Sequence, residues 1–461
     1  MRLILLLILG LTLPTRLAPD LESQAALAEK LIEQRVANRW NAGIVVGLVD
    51  GDATKIVAAG KRGGDLAAAP DGRTVFEIGS LSKAFTGILL AEAVERNEVG
   101  LDQAIADLLP PAVREKFTGD KARITPRHLA QHTSGLARMP SNFRPKDSNN
   151  PYADYSTEQM FEYLGSCALN AAPGREYQYS NLAMGLLGHL LAQKAGGDYE
   201  ATLLKRICEP LGMKETRITF TPEMRSRLAR GHTVLGFETA NWDIPALAGA
   251  GAIRSTMDDL LLFAKANLDP ARCPIAAALR RSQSERHRIN PELEMGLGWH
   301  ISGAAGLEII WHNGETGGYH SYLGLDVKDR RAVVILTNTA SSIDDIGRHL
   351  LERKSPLDPA RQIPRGGADR KAVQLEAKQL EGLTGEYSLS PAFSITVTHE
   401  DGKLMAQATG QEKAEIYAES ENRFFYKIVD AQITFERGDD GKATRLTLLQ
   451  NGQKIPGTKV R

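Results

Sequence analysis

The stretch FEIGSLSKAFTG, residues 76–87, contains a serine and a lysine at the point where a strand pattern gives way to a helix pattern. Residues 74–78 are strand-like, and apolar residues recur at helical spacing after Ser80. Positions i and i+3 share one face of a helix, so the side chains of Ser80 and Lys83 can touch. A serine hydroxyl becomes an effective nucleophile when a neighbour accepts its proton. The spacing therefore predicts Ser80 as a nucleophile and Lys83 as the group that activates it.

Two other interpretations of this stretch stay open from the sequence alone. A Ser-x-x-Lys spacing arises by chance in many chains, with the serine capping a helix and the lysine in solvent. Ser82 is a competing nucleophile, although it adjoins Lys83 and neighbours at i and i+1 point apart on a helix. Lys83 can accept a proton only where burial or nearby cations lower its pKa.

A second candidate motif is Tyr179-Ser180-Asn181, in the middle of the chain. A tyrosine held near Lys83 can act as a base through its phenolate, and an amide at Asn181 can orient a substrate amide. The alternative is a buried tyrosine followed by a helix cap, since residues 182–195 have a helical pattern and Ser180 or Asn181 can cap it.

A third candidate motif is HNGETGG, residues 312–318, at the end of a predicted strand. A glycine-rich strand edge lets a substrate backbone pair closely with the protein. A backbone N–H at this edge, together with the N–H of Ser80, can form an oxyanion hole. The alternative is a plain hairpin turn.

In this order along the chain, the three motifs resemble those of the penicillin-recognising serine hydrolases. The chain is similar to class C β-lactamases and to the related serine D,D-peptidases and esterases. The stretches that carry the resemblance are residues 76–87, 124–136, 173–188, 250–263 and 311–321. The resemblance extends over residues 25–350, and the C-terminal part resembles the small lipocalin-like β-domain often appended to such enzymes.

The resemblance implies a role for each residue of the first two motifs. Ser80 would be the acylated nucleophile, and Lys83 and Tyr179 would share its proton. Asn181 would position Lys83 and the substrate amide. The backbone N–H groups of Ser80 and Glu315 would bind the oxyanion.

The third motif departs from the pattern of dedicated class C enzymes, which have Lys-Thr-Gly where this chain has His312-Asn313-Gly314. These three residues and Glu315 would contribute to substrate binding, with His312 in the place of the lysine. Histidine is mostly neutral near neutral pH, so attraction for a substrate carboxylate should be weaker than with lysine. Loss of the threonine hydroxyl removes a further donor.

The pattern along the 461 residues predicts an α+β fold with a β-lactamase/transpeptidase-like antiparallel sheet flanked by helices, plus a C-terminal all-β barrel. We assign residues 1–18 to a signal peptide, 19–354 to a catalytic domain, 355–379 to a linker and 380–461 to the barrel. The apolar run at residues 3–13 is too short to span a bilayer, which predicts a periplasmic or secreted protein. An uncleaved anchor is the alternative.

The predicted function is hydrolysis through an acyl-enzyme, on D-amino-acid peptides in the manner of a D-alanyl-D-alanine carboxypeptidase or endopeptidase, or on small esters. A class C-type β-lactamase and a non-catalytic penicillin-binding protein are the alternatives. The expected partners are peptidoglycan stem peptides, β-lactams or esters. With 56 basic and 56 acidic residues the net charge is zero, which indicates no nucleic-acid partner. No cofactor or metal is expected, because His128 and His132 lack the glutamate of a zinc-protease motif.

Overall fold

The computed structural model describes residues 20–63, 68–234, 236–304, 307–359, 370–390, 393–409, 413–427, 431–450 and 453–460. The predicted signal peptide, residues 1–18, and residues 360–369 of the predicted linker lie outside these ranges. The chain divides into two compact units, one formed by Met1–Val36, Ala42–Gly231 and Ala240–Asp358 and the other by Ala37–Asn41, His232–Thr239 and Pro359–Arg461. No helix within the described ranges is both long and apolar enough to cross a membrane.

The first unit contains most of the helices. They are α1 (Leu21–Ala37), α2 (Ser82–Glu95), α3 (Pro111–Arg114), α4 (Pro126–Ala130), α5 (Thr157–Ser166), α6 (Asn181–Lys194), α7 (Tyr199–Leu203), α8 (Glu209–Leu211), α9 (Pro222–Arg227), α10 (Ala248–Gly251), α11 (Met257–Leu268), α12 (Ala276–Ser284) and α13 (Asp344–Leu351). Short 3₁₀ turns cover Gly79–Leu81, Ile105–Leu108, Gly119–Arg123 and Pro270–Arg272, and a π-helical turn, Leu204–Cys208, joins α7 to α8.

An antiparallel sheet forms the centre of this unit. Its strands are β1 (Gly43–Asp50), β2 (Ala53–Gly60), β5 (His287–Asn290), β6 (Leu293–Met295), β7 (His300–Ala304), β8 (Leu307–Glu315), β9 (His320–Asp326) and β10 (Arg331–Thr337), and β3 (Val75–Glu77) pairs separately with β4 (Arg254–Thr256). The eight strands lie in the order β2-β1-β10-β9-β8-β7-β6-β5. Helices cover both faces, which confirms the predicted fold class for this part of the chain.

Strand β1, which lies second in the sheet, shows why both faces are covered. Successive side chains of a strand point to opposite faces. Ile44 and Val46 pack in a cluster with residues of α1 and α13, whereas Val45 and Val49 belong to the larger core that includes α2 and α11. All but the last residue of β1 is buried, as expected for a strand between two helical layers.

Two helices of the first unit have well-defined N-terminal caps. Helix α5 begins with a capping box between Ser156 and Gln159. The cap of α6 is Ser180, whose hydroxyl accepts the N–H of Ala183 at 2.9 Å.

The second unit contains a closed barrel. Its elements are α14 (Ala377–Glu381), β11 (Gly385–Ser390), β12 (Phe393–Glu400), β13 (Lys403–Ala408), β14 (Ala414–Ala418), β15 (Arg423–Tyr426), β16 (Ala431–Arg437), β17 (Ala443–Gln450) and β18 (Gln453–Lys459). Each strand pairs with its neighbour, and β11 pairs with β18 to close the barrel. The closed barrel confirms the C-terminal all-β barrel that the sequence predicts.

Large side chains fill the interior of this barrel. Tyr387, Phe424 and Phe435 are buried together with aliphatic residues of the other strands. The rings of Tyr387 and Phe435 lie 5.7 Å apart, and those of Phe424 and Phe435 lie 5.5 Å apart, both in edge-on arrangements. An eight-stranded barrel is just wide enough for side chains to fill, so its stability comes from this packed core.

Candidate active site

Ser80 lies in the 3₁₀ turn that leads into α2, and this turn is held by backbone contacts. Gly79 has φ +50°, a conformation that favours glycine, and a Cβ there would lie 2.6 Å from the backbone nitrogen of Glu315. The buried hydroxyl of Ser82 donates to the carbonyl of Gly79 at 2.7 Å and accepts the N–H of Ile253 at 3.2 Å. Ser82 thus stabilises the turn, whereas Ser80 is partly exposed to solvent.

Lys83 lies beneath Ser80 and is fully buried. Its Nζ is 2.8 Å from the Ser80 hydroxyl oxygen and 2.7 Å from the carbonyl oxygen of Ala250. Burial, aided by the nearby guanidinium of Arg138, holds the pKa of Lys83 well below its usual value. No acidic side chain pairs with it in the described part of the chain. The amine is therefore suited to hold a lone pair toward Ser80 near neutral pH.

Tyr179 contacts the same two side chains. Its hydroxyl hydrogen-bonds to Ser80, and Lys83 Nζ lies 4.8 Å from the centre of its ring. Burial raises the pKa of Tyr179 above its usual value, although the bond to Ser80 and the charge of Arg138 act in the opposite direction. The phenol thus keeps its proton near neutral pH. Of the two candidate bases, Lys83 suits the role of base and Tyr179 the role of proton donor.

The side chain of Asn181 was expected to position Lys83, but the structure places it against Met139. Its backbone N–H donates to the carbonyl of Arg138 at 3.0 Å, and its side-chain amide lies 3.6 Å from the sulfur of Met139. Among the described residues, the second partner of Lys83 is the carbonyl of Ala250 and not Asn181. The Asn181 side chain lines the cleft beside Ser80, where it can meet a substrate.

The end of β8 lies directly against the Ser80 turn. A Cβ on Gly314 would lie 1.9 Å from the carbonyl oxygen of Ile78 and 2.8 Å from the backbone nitrogen of Ser80. Only glycine allows this approach. Ser321, on the neighbouring strand, donates its hydroxyl to the same Ile78 carbonyl at 2.8 Å. The backbones of Ser80 and Glu315, whose N–H groups are the predicted oxyanion donors, are therefore adjacent.

His312 is fully buried behind the cleft. Its Nδ1 donates to the carbonyl of Asn313 at 2.6 Å, and its ring centre lies 4.9 Å from that of His300. Burial holds the pKa of His312 well below its usual range, and burial lowers the pKa of His300 to about 4. Both rings are neutral at physiological pH.

The next strand residue, Asn313, points to the opposite face of the sheet. Its side-chain amide donates to the carboxylate of Asp344 at 2.6 Å, and His320 contacts the other oxygen of that carboxylate at 3.0 Å. Successive strand residues alternate between faces, so His312 and Asn313 cannot both face Ser80. The structure brings Gly314 and Glu315 to the cleft and directs the Asn313 side chain away from it.

The other wall of the cleft is aromatic, and sequence reasoning missed it. Tyr152, Trp242 and Ile244 line the cleft opposite Glu315, and the cleft volume is about 30 Å³. The rings of Tyr152 and Trp242 lie 5.3 Å apart, and Phe143 packs on Tyr152 at 5.1 Å. The tyrosines of residues 138–176 could have indicated an aromatic wall, but their spacing has no periodicity that predicts where the side chains lie. No cluster of His, Cys, Asp or Glu suited to a metal occurs within the described ranges.

Most of the chain matches two protein families. Residues 28–354 match the family described as Beta-lactamase. Residues 369–459 match a second family, described as Domain of unknown function (DUF3471). The first match spans every residue of the Ser80 cleft, and the second spans the barrel strands.

Two curated proteins illustrate the similarity. Penicillin-binding protein 4* of Bacillus subtilis (strain 168) is 26% identical over 416 residues, which cover 84% of this chain and 88% of the relative. The D-alanyl-D-alanine-carboxypeptidase/endopeptidase AmpH of Escherichia coli (strain K12) is 29% identical over 311 residues, which cover 62% of this chain and 79% of the relative.

Among solved structures, a class C β-lactamase shares the fold. It aligns with a TM-score of 0.64 and 21% sequence identity, and the alignment covers 73% of this chain and 98% of that one. At this identity the likeness concerns the fold alone.

Proposed function

Because the chain belongs to the Beta-lactamase family of serine hydrolases, we propose that it cleaves D-amino-acid peptides or small esters through an acyl-enzyme on Ser80. The observation that supports this proposal most strongly is the 2.8 Å distance from the Ser80 hydroxyl to the buried amine of Lys83. Burial holds the pKa of that amine well below that of an ordinary lysine, which favours the unprotonated form that a base requires.

The geometry supports the following sequence of proton transfers. Lys83 accepts the proton of Ser80 as the hydroxyl oxygen attacks the substrate carbonyl, and a tetrahedral intermediate forms. The backbone N–H groups of Ser80 and Glu315 stabilise its oxyanion. Tyr179 donates its proton to the departing nitrogen or oxygen, and the adjacent Lys83 passes to Tyr179 the proton that it took from Ser80. Water then attacks the acyl-enzyme by the same route in reverse and regenerates Ser80.

Peptides ending in D-alanine are the substrates we favour, with small esters second. One relative is named as a D-alanyl-D-alanine carboxypeptidase/endopeptidase and another as a penicillin-binding protein. The neutral, buried His312 stands where dedicated class C enzymes have a lysine, so the chain departs from their pattern at this position. Class C-type β-lactamase activity is therefore the second candidate, supported by the family itself. A non-catalytic binding role fits poorly, because Ser80, Lys83 and Tyr179 are all in contact.

We place this activity outside the cytoplasm. The proposal rests on the charged start and short apolar run of residues 1–18, which is typical of a secretory signal peptide. Cell-wall peptides and β-lactams are both met outside the cytoplasmic membrane, so this location agrees with the proposed substrates.

Intact-mass spectrometry after incubation with a fluorescent penicillin tests the acyl-enzyme. We expect one adduct on the wild-type protein and none on Ser80→Ala. No adduct on the wild type, or an equal adduct on Ser80→Ala, would contradict the proposal. A panel of a D-Ala-D-Ala peptide, a p-nitrophenyl ester and nitrocefin then ranks the substrates, and fastest turnover of nitrocefin would favour the β-lactamase alternative.

A further inference from the structure

The end of β8, which forms one wall of the cleft, has no positively charged side chain for a substrate carboxylate. His312 is neutral and buried, and the exposed side chain of Glu315 at the end of β8 carries a negative charge. D-alanyl peptides and β-lactams both carry a carboxylate on the carbon bonded to the nitrogen that departs. If the proposed function holds, the positive partner of this carboxylate must lie elsewhere around Ser80.

Arg138 is an exposed cation at the rim of the cleft. Its guanidinium carbon lies 4.9 Å from the centre of the Tyr179 ring. Within the described part of the chain, its guanidinium forms no ion pair with a carboxylate. An arginine without a carboxylate partner is available to bind one in a bidentate manner.

The backbone around Arg138 is anchored to the Tyr179 motif. The carbonyl of Arg138 accepts the N–H of Asn181 at 3.0 Å, and the carbonyl of Ala137 accepts the hydroxyl of Ser180 at 2.7 Å. These bonds fix the position of Arg138 relative to the side chain that protonates the leaving group. The charge of Arg138 also lowers the pKa of both Lys83 and Tyr152, so its field reaches the cleft.

We propose that Arg138 binds the carboxylate of the leaving group and thereby makes the site selective for acyl donors that carry one. Tyr179 donates its proton to the departing atom, which must therefore lie within hydrogen-bond distance of the Tyr179 hydroxyl. The carboxylate lies two bonds further along the leaving group. A guanidinium beside the Tyr179 ring is within reach of that position and attracts the carboxylate.

A matched pair of substrates tests this proposal, which rests on the proposed function. An acyl-D-alanyl-D-lactate ester carries the carboxylate, and the corresponding D-lactamide ester replaces it with a neutral amide. We expect Arg138→Gln to lower kcat/KM for the carboxylate ester by about 10- to 100-fold, mainly through KM, as for a lost charge-assisted hydrogen bond. The neutral ester should change by less than about threefold. Arg138→Lys should restore part of the difference.

Two controls separate this role from others. Arg144→Gln removes another exposed arginine of the same segment, whose guanidinium bonds the Phe143 carbonyl at 3.1 Å, and should leave the preference unchanged. Because Arg138 lowers the pKa of Lys83, both esters are compared on the plateau of the pH profile, above the acid limb. Added salt should weaken the preference of the wild type and not that of Arg138→Gln.

Three results would overturn the inference. An equal loss on both esters would make Arg138 a structural residue. An unchanged ratio of the two kcat/KM values in Arg138→Gln, with wild-type turnover intact, would contradict the inference and leave the proposed function standing. If the wild type hydrolyses neither ester and forms no acyl-enzyme, the proposed function fails and this inference fails with it.

Discussion

The two walls of the Ser80 cleft are built in different ways. On one wall, the Ser80 turn, α2 and the end of β8 contact each other through backbone atoms, with no room for a Cβ at Gly314. On the other wall, Arg138, Tyr152 and Trp242 project side chains from segments between helices. The two walls therefore have different roles. The wall packed through backbone atoms, called the packed wall below, positions Ser80 for catalysis. The wall of projecting side chains determines which substrates bind.

The largest expected effect is on the packed wall, at Lys83. Lys83→Met keeps the volume of the buried side chain and removes the base, so kcat/KM should fall by about 10²- to 10⁴-fold, the range for general-base groups. Steady-state kinetics with a p-nitrophenyl ester measures this loss. The exposed Lys205→Met serves as a matched control and should keep its activity. Near-normal turnover in a folded Lys83→Met protein would exclude Lys83 as the base.

A smaller loss is expected where β8 meets the turn. Gly314→Ala places a Cβ within 1.9 Å of the Ile78 carbonyl oxygen, so the strand must move away from Ser80. Misplacing one oxyanion donor should lower kcat by about 10²- to 10³-fold. Gly197→Ala is the control, because the nearest atom to its added Cβ is 3.8 Å away. Equal activity of the two variants would show that the close approach has no part in catalysis.

The smallest effect is expected on the aromatic wall. Trp242→Leu removes a ring whose centre lies 5.3 Å from that of Tyr152 but keeps the backbone N–H of residue 242, which donates to Glu77 at 2.9 Å. For esters of aromatic acids, KM should rise by about 2- to 10-fold, since such ring contacts contribute about 0.5–1.5 kcal/mol. Acetyl esters should be unaffected. A loss in kcat for both ester classes would place Trp242 in the chemistry instead.

The sequence predicted the packed wall well, for a physical reason. Ser80 and Lys83 are separated by one helical turn, and the glycines of residues 312–318 lie where a strand must approach the turn closely. Both features involve only a few neighbouring residues, so they can be recognised in the sequence. The family resemblance inferred from them is confirmed by the family match, and the predicted fold class is confirmed by the structure.

The rest of the cleft depends on contacts between distant parts of the chain. Trp242 contacts Tyr152 across ninety positions, and the carbonyl of Ala250 contacts Lys83 across 167 positions. Burial of His312 follows from its neighbours His300 and Lys83, which the strand pattern alone does not reveal. Arg138 lies two residues after a stretch that carried the resemblance, but nothing in its spacing indicated that it would lie over the Tyr179 ring.

The pH dependence of Ser80 modification tests the central claim most directly, since it reports the state of Lys83 without a choice of substrate. The rate constant for reaction with an active-site phosphonate is measured from about pH 5 to about pH 11 by intact mass. Because the pKa of Lys83 is well below its usual value, the rate should rise through an acid limb and reach a plateau well before the pH at which an ordinary lysine titrates. A rate that rises about tenfold per pH unit up to the ordinary lysine pKa of about 10.4 would contradict the account.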